Sequence, residues 1–170
     1  MSAELPRLPR YIGKKSHWIK GWDNNNESPE SAEGFYSIFE RRARDQGIDL
    51  TKNVKVLELG SGNAMLLEYA KSQGVDIVGV EVEPRGKREF PQVIARIEQL
   101  PFPDETFEVV ISASIFDHSE YEQDQDLMMK DVARVLKHGG IYIGAEYLNK
   151  IPEIPGLVCV DKDRRVFKKS

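Results

Sequence analysis

The chain alternates between two patterns of apolar and polar positions, one typical of buried strands and one of amphipathic helices. Five short runs are rich in valine, isoleucine and leucine and carry few charges, as strands of a parallel sheet buried on both faces do. Longer segments place apolar residues three and four positions apart, as helices with one buried face do. Strands interleaved with helices indicate an α/β fold. The predicted strands are residues 54–59, 76–82, 92–97, 109–113 and 141–147.

Three segments are predicted to be helices. The first begins at Ser28, a capping residue followed by proline, and ends at Gly47. The second follows the first strand and stops before Gly74, while the third covers residues 121–137. The arginines expected on the solvated side of the first helix are Arg41, Arg42 and Arg44. The apolar stripe expected to be buried in the third helix is Leu127, Met128, Val132, Val135 and Leu136.

The C-terminal part of the chain predicts a β-hairpin, because residues 157–160 and 165–167 flank a polar turn. The connection at 84–90 is too short for a full helix, so we expect it to be reduced or irregular. A chain of 170 residues is long enough for one domain with one sizeable core. The expected organisation is a single domain over 1–170, with an irregular N-terminal arm at 1–27, a core at 28–147 and a short hairpin region at 148–170.

Composition limits the classes of protein to which the chain can belong. The net charge of −4 means that the chain lacks the overall positive charge typical of nucleic-acid-binding proteins. A hydrophobic content of 40% is typical of an ordinary globular protein. The single cysteine, Cys159, excludes an internal disulfide and a cysteine metal cluster, so no metal site is predicted. No apolar run approaches membrane-spanning length, so a cytoplasmic location is the expectation.

The turn after the first strand carries the candidate chemistry. Gly60 and Gly62 permit positive φ angles and a close approach to the backbone. The helix that follows directs unpaired N–H groups and its positive dipole end toward whatever lies above the turn. Glu81 ends the second strand about 20 residues further on, where a carboxylate can accept both hydroxyls of a ribose. These residues indicate a nucleoside site, although a purely structural turn can have the same glycines.

Two classes of nucleoside ligand fit this turn. A dinucleotide turn, Gly-x-Gly-x-x-Gly, needs a third glycine at the position of Met65. The other arrangement is an acidic residue followed by Gly-x-Gly-x-Gly two positions later. Glu58, Gly60 and Gly62 match it, and Ala64 takes the third glycine's place. In this respect the chain resembles the first motif of the class I S-adenosylmethionine-dependent methyltransferases.

Two further segments carry the same resemblance. The segment EQLPFPDETFEVV at 98–110 resembles the "LPFPDESFDVV" signature of the large type 11 methyltransferase group. The segment ARVLKHGGIYIGAEY at 133–147 continues it, so the resemblance covers about residues 52–147. It implies a three-layer, Rossmann-like α/β sandwich. Its mainly parallel sheet would have strand order 3-2-1-4-5, with a small antiparallel hairpin at the C-terminus.

The resemblance also implies the site. S-adenosyl-L-methionine is the expected cofactor. His118 and Asp117 are the candidate catalytic residues, with His118 either a general base or a structural histidine that holds its loop. The residues implied to bind the cofactor are Glu58, Gly60, Ser61, Gly62, Ala64, Glu81, Val82, Ile97, Glu98, Ser112 and Ser114.

One departure from the family pattern bears on function. Arg96 stands where the family commonly has an aspartate that accepts a hydrogen bond from adenine, and arginine only donates. Glu98 could supply the acceptor instead. The expected function is methyl transfer to a small-molecule acceptor, with protein and RNA acceptors also open. The alternatives are a catalytically degenerate methyltransferase fold that binds or regulates, and a nicotinamide-dependent oxidoreductase.

Overall fold

The computed structural model describes residues 29–82, 91–113, 125–145, 153–163 and 165–170. These parts of the chain contain three α-helices, one 3-10 helix and seven strands. The helices are α1 (Pro29–Asp45), α2 (Met65–Ser72), α3 (Gln125–Val135) and the 3-10 helix Ile97–Gln99. The strands are β1 (Lys55–Leu59), β2 (Asp76–Glu81), β3 (Gln92–Ile94), β4 (Phe107–Ser112), β5 (Leu136–Gly144), β6 (Leu157–Asp161) and β7 (Val166–Lys169).

All seven strands form one sheet in the order β3-β2-β1-β4-β5-β7-β6. The first five strands are parallel, while β7 runs antiparallel to both β5 and β6. The predicted order 3-2-1-4-5 and the C-terminal hairpin are therefore confirmed. The chain order reverses between β1 and β4, and ligands of open α/β sheets bind beyond the carboxyl ends of the strands at such a switch point.

Helices cover both faces of the sheet, which confirms the three-layer architecture. On one face α1 and α2 pack over a cluster that includes Phe39, Val56 and Leu67. On the other face α3 and the 3-10 helix pack over a cluster that includes Leu57 and Met128. Successive residues of β1 thus enter opposite cores, because side chains alternate along a strand. This is why its last four residues are all buried and read as one apolar run.

The third strand is shorter than the sequence predicts. It ends at Ile94 instead of residue 97, and a 3-10 helix follows at Ile97–Gln99. The backbone N–H of Ala95 still donates to the carbonyl of Glu81 at 3.2 Å, but Glu81 is the last residue of β2. Beyond Glu81 the described part of β2 offers no further partner, and the chain turns and buries Ile97 beneath α3.

The boundary between α3 and β5 also differs from the prediction. The strand starts directly after the helix, where the pattern predicted helix up to Lys137 and strand from residue 141. The last helical carbonyl, that of Val135, accepts a hydrogen bond from the N–H of Thr106 at 2.8 Å. Leu136 then pairs with the first residue of β4. The helix end is thereby joined to the sheet, so no separate connection is needed.

Two side chains lie elsewhere than predicted. Leu127 is 53% exposed, and Met129 takes its expected place in the buried stripe of α3. Arg42 does not simply face solvent, because its Nη1 donates to the carbonyl of Gly144 at 2.9 Å and joins α1 to the end of β5.

Several predictions fall outside the described residues. These are the N-terminal arm at 1–27, the connection at 84–90, and the loop that carries Ser114, Asp117 and His118. The single-domain organisation stays a prediction. Among the described helices, none combines the length and apolar character needed to cross a membrane.

Candidate functional site

The glycine turn lies directly beyond β1 and leads into α2. Gly60 and Gly62 adopt positive φ angles of 64° and 50°, as the sequence pattern requires. Ala64, at the position of the third glycine, is also left-handed, with φ 67°. A left-handed conformation costs a residue with a β-carbon roughly 1–2 kcal/mol. The turn therefore keeps the glycine-type conformation even where alanine replaces glycine.

The carboxylate of Glu81 lies against this turn. Its Oε2 accepts a hydrogen bond from the backbone N–H of Gly62 at 2.9 Å, and its Oε1 accepts one from the N–H of Val82 at 2.8 Å. The side chain is half-buried, so it is directed neither into the core nor away into solvent. The structure thus brings together the turn and the acid that the sequence paired.

Glu58 is the second acid beside the turn, and it is buried. Its side chain lies in β1, the residue is 5% exposed, and its Oε2 has no hydrogen-bond partner among the described residues. Burial, and after it the negative charge of Glu81, raises the pKa of Glu58 from 4.5 to about 8. A buried acceptor without a partner costs about 1–3 kcal/mol. A buried carboxyl two residues before a glycine turn, with one oxygen unpartnered among the described residues, fits a site for a cationic, hydrogen-bonding ligand such as S-adenosylmethionine.

The turn is held from β2 and β3 as well. Ser61 is buried, and its N–H donates to the carbonyl of Val80 at 3.0 Å. Gln92 of β3 also bonds to the turn, a contact that sequence reasoning missed. The available signal was Gly79, a glycine in the interior of a strand, which often marks a close approach of another backbone.

The Leu-Pro-Phe-Pro-Asp segment is fastened to α3 by Arg134 and Asp131, which both lie on that helix and pair with each other. Arg134 Nε donates to Asp131 Oδ1 at 2.7 Å, and its Nη2 donates to the carbonyl of Leu100 at 2.9 Å. Arg134 Nη1 donates to the carbonyl of Phe102 at 2.8 Å and to Asp104 Oδ1 at 2.9 Å. Asp131 also accepts the backbone N–H of Leu100. The family signature at 98–110 and the Arg-Val-Leu segment at 134–136 therefore contact each other directly.

Among the residues implied to surround adenine, Glu98 is engaged by the neighbouring Arg96. Arg96 forms an ion pair with Glu98, using both Nε and Nη2. The Glu98 carboxylate is thus already bound by a cation, and its side chain is only 14% exposed. Ile97 lies between them in sequence and is buried in the core cluster under α3.

Ser112 ends β4 beside the last residue of β1. Its hydroxyl is hydrogen-bonded to the hydroxyl of Tyr142 at 2.7 Å, and both residues are fully buried. Ser114 and the candidate bases Asp117 and His118 lie outside the described residues. In the part of the chain that the structure describes, no group of acidic, histidine or cysteine residues could hold a metal ion.

Sequence comparison finds a matching family and similar proteins. The sequence model of the methyltransferase domain family matches residues 57–144, just over half of the chain. The chain is 26% identical over 157 residues to the mouse eEF1A lysine and N-terminal methyltransferase, covering 82% of this chain and 22% of that protein. It is 28% identical over 149 residues to the Caenorhabditis elegans sterol 4-C-methyltransferase strm-1, covering 80% of this chain and 42% of that protein.

The fold has relatives among solved structures. A SAM-dependent methyltransferase from Archaeoglobus fulgidus superposes with a TM-score of 0.55 at 16% identity, covering 75% of this chain and 57% of that one. This similarity shows the fold alone. The chain spans between about a fifth and three fifths of the length of these relatives. The family match, together with the sheet order, shows that the chain belongs to the class I S-adenosylmethionine-dependent methyltransferase family.

Proposed function

We propose that this chain transfers a methyl group from S-adenosylmethionine to a small-molecule acceptor. The observation that carries the proposal is the pair of acids around the glycine turn. Glu81 lies against the turn with its carboxylate held by two backbone N–H groups, and Glu58 is buried two residues before the turn with one oxygen unpartnered among the described residues. A structural turn alone does not require a buried carboxyl without a partner.

The roles follow from what each group can accept or donate. A carboxylate has about four acceptor positions, so Glu81 would be able to accept ribose hydroxyls beside its two N–H bonds. The raised pKa keeps Glu58 protonated at neutral pH, and a cationic ligand close to it would lower that pKa and favour the negatively charged form. The 60–64 turn would hold the methionine and sugar portions. The residues proposed around adenine and the sulfonium are Val82, Ile97, Glu98, Ser112 and Ser114.

When bound, S-adenosylmethionine supplies a methyl group already activated by a positively charged sulfur. The chain therefore mainly needs to hold and orient the reactants, and proximity and orientation can contribute roughly 7–11 kcal/mol. A base is needed only for a neutral hydroxyl or a protonated amine. His118 would take that proton, with Asp117 as the second candidate.

A small molecule is favoured as acceptor because the chain is acidic, with a net charge of −4. The names of the two relatives indicate different classes of acceptor, since one is named for a protein acceptor and the other for a sterol. Screening both acceptor classes for release of S-adenosylhomocysteine would identify the acceptor.

Calorimetry with S-adenosylmethionine, S-adenosylhomocysteine and NAD tests the ligand class. We expect binding of the two sulfur nucleosides and about 100-fold weaker binding in Glu81→Ala, because a charged acceptor is lost. Glu68→Ala, at an exposed position on α2, is the matched control and should bind normally. Binding of NAD alone would contradict the proposal and indicate an oxidoreductase instead.

A second candidate function rests on the Arg96–Glu98 ion pair. This pair puts a cation where the family commonly has an adenine acceptor, and it engages the carboxylate that could have substituted. A methyltransferase fold that binds a partner without catalysis would be consistent with such a change. Absence of binding to any of the three nucleosides would favour this second function.

A further inference from the structure

Gln92, the first residue of β3, reaches from its strand to the glycine turn. Its side-chain Nε2 donates one hydrogen bond to Ser61 Oγ at 2.9 Å and another to the carbonyl of Gly62 at 3.0 Å. Both acceptors belong to the turn proposed to hold the cofactor, and both are about 30 residues away in sequence.

A glycine in the intervening strand makes this contact possible. Gly79 of β2 pairs directly with Gln92. A β-carbon at position 79 would lie 2.5 Å from Ser61 Oγ and 2.6 Å from Ser61 Cβ, far inside contact distance. Since no side chain occupies this space, Ser61 packs onto β2 and the amide of Gln92 bonds to it.

The bonds of Gln92 complete the fixation of Gly62. The N–H of Gly62 donates to Glu81, while its carbonyl accepts from Gln92. Gly62 has φ 50° and no side chain of its own to pack, so these two bonds restrain an otherwise free backbone. Through the N–H of Gly62, the same network also contacts the carboxylate of Glu81.

We propose that Gln92 is a positioning residue that holds the 60–64 turn, and through it Glu81, in the conformation that binds the cofactor. The inference rests on the proposed function. Gln92 carries out no chemistry, so its loss leaves a folded protein in which the turn must be ordered when the nucleoside binds. That ordering cost weakens affinity.

Titration calorimetry with S-adenosylhomocysteine on the full chain tests the proposal. In Gln92→Ala we expect a Kd about tenfold higher, because two hydrogen bonds that restrain the turn are lost. Gln92→Glu has the same length but no amide hydrogens, so it cannot donate to the carbonyl of Gly62 and should weaken binding as well. The control is Gln73→Ala, an exposed glutamine at the end of α2, which should bind as the wild type does.

The outcomes separate the two proposals. Wild-type protein that does not bind S-adenosylhomocysteine contradicts the proposed function and this inference with it. Wild-type binding together with Kd values within twofold in both Gln92 variants overturns the positioning role alone. Urea denaturation of the ligand-free variants provides the structural readout. Loss of folding in both variants would also overturn the proposal, since a positioning residue must leave a folded protein with lowered affinity.

Discussion

The buried carboxyl of Glu58 should make the stability of this protein depend on pH. Its pKa is raised to about 8 in the folded state, against an ordinary value of 4.5, because burial and the charge of Glu81 disfavour the ionised form. Between these two values the folded state holds a proton that the unfolded chain has lost. The contribution of Glu58 to stability is therefore fully present below pH 4.5 and is lost as the pH rises through 8.

The size of this effect follows from the difference in pKa. One pKa unit corresponds to 1.36 kcal/mol, so the total contribution of Glu58 to the free energy of unfolding is about 5 kcal/mol. About 3–4 kcal/mol of this contribution is lost between pH 5 and pH 8. Glu58→Gln keeps the shape of the side chain and removes the titration. The variant should gain about 3 kcal/mol relative to wild type between pH 5 and pH 8. Any loss from an unpartnered amide adds a constant that does not change with pH.

Urea denaturation followed by circular dichroism at pH 5, 6, 7 and 8 measures the difference in free energy of unfolding between the two proteins. Titrating groups that do not interact with Glu58 contribute equally to both and cancel. Glu68→Gln, an exposed position on α2, controls for the removal of a negative charge and should follow wild type to within about 1 kcal/mol at every pH. A wild-type-to-variant difference that stays constant from pH 5 to pH 8 would refute the reasoning.

Two further substitutions test the contacts that shape the site, each by urea denaturation with a matched control. Gly79→Ala should lower the free energy of unfolding by about 1–3 kcal/mol, because its β-carbon would overlap Ser61. The control Gly34→Ala, in the open middle of α1, should raise it by about 0.5–1 kcal/mol. Equal effects of the two substitutions would contradict the close approach of Ser61 to Gly79. Arg134→Ala should cost about 3 kcal/mol, because it removes the cation from a largely buried acid and the donor from two loop carbonyls. Arg44→Ala breaks only an exposed pair and should cost less than about 1 kcal/mol, so similar losses in both arginine variants would show that the loop is held by other contacts.

Sequence patterns were sufficient for the features that depend on near neighbours. The order of the elements followed from the periods of apolar residues, and the turn followed from Gly60 and Gly62, because a left-handed backbone restricts residue type locally. Glu81 was found because a carboxylate about 20 residues after the glycine turn belongs to the nucleoside-binding pattern, and the structure places it against that turn. The resemblance to known methyltransferases added the strand order, which local patterns do not contain.

Contacts between distant segments needed the tertiary structure. The length of β3 depended on where β2 ends, and the place of Leu127 depended on how α3 is rotated against the sheet. Gln92 reaches the turn only because β3 lies next to β2, and Arg134 joins the loop at 100–104 only because α3 packs over it. The burial that raises the pKa of Glu58 arises because helices cover both faces of β1. The sequence by itself thus determined which segments become strands, turns and helices, since those choices are made by residues a few positions apart. The tertiary structure decided which side chains meet and which charge is kept from water, because these depend on the packing of segments 30 or more residues apart.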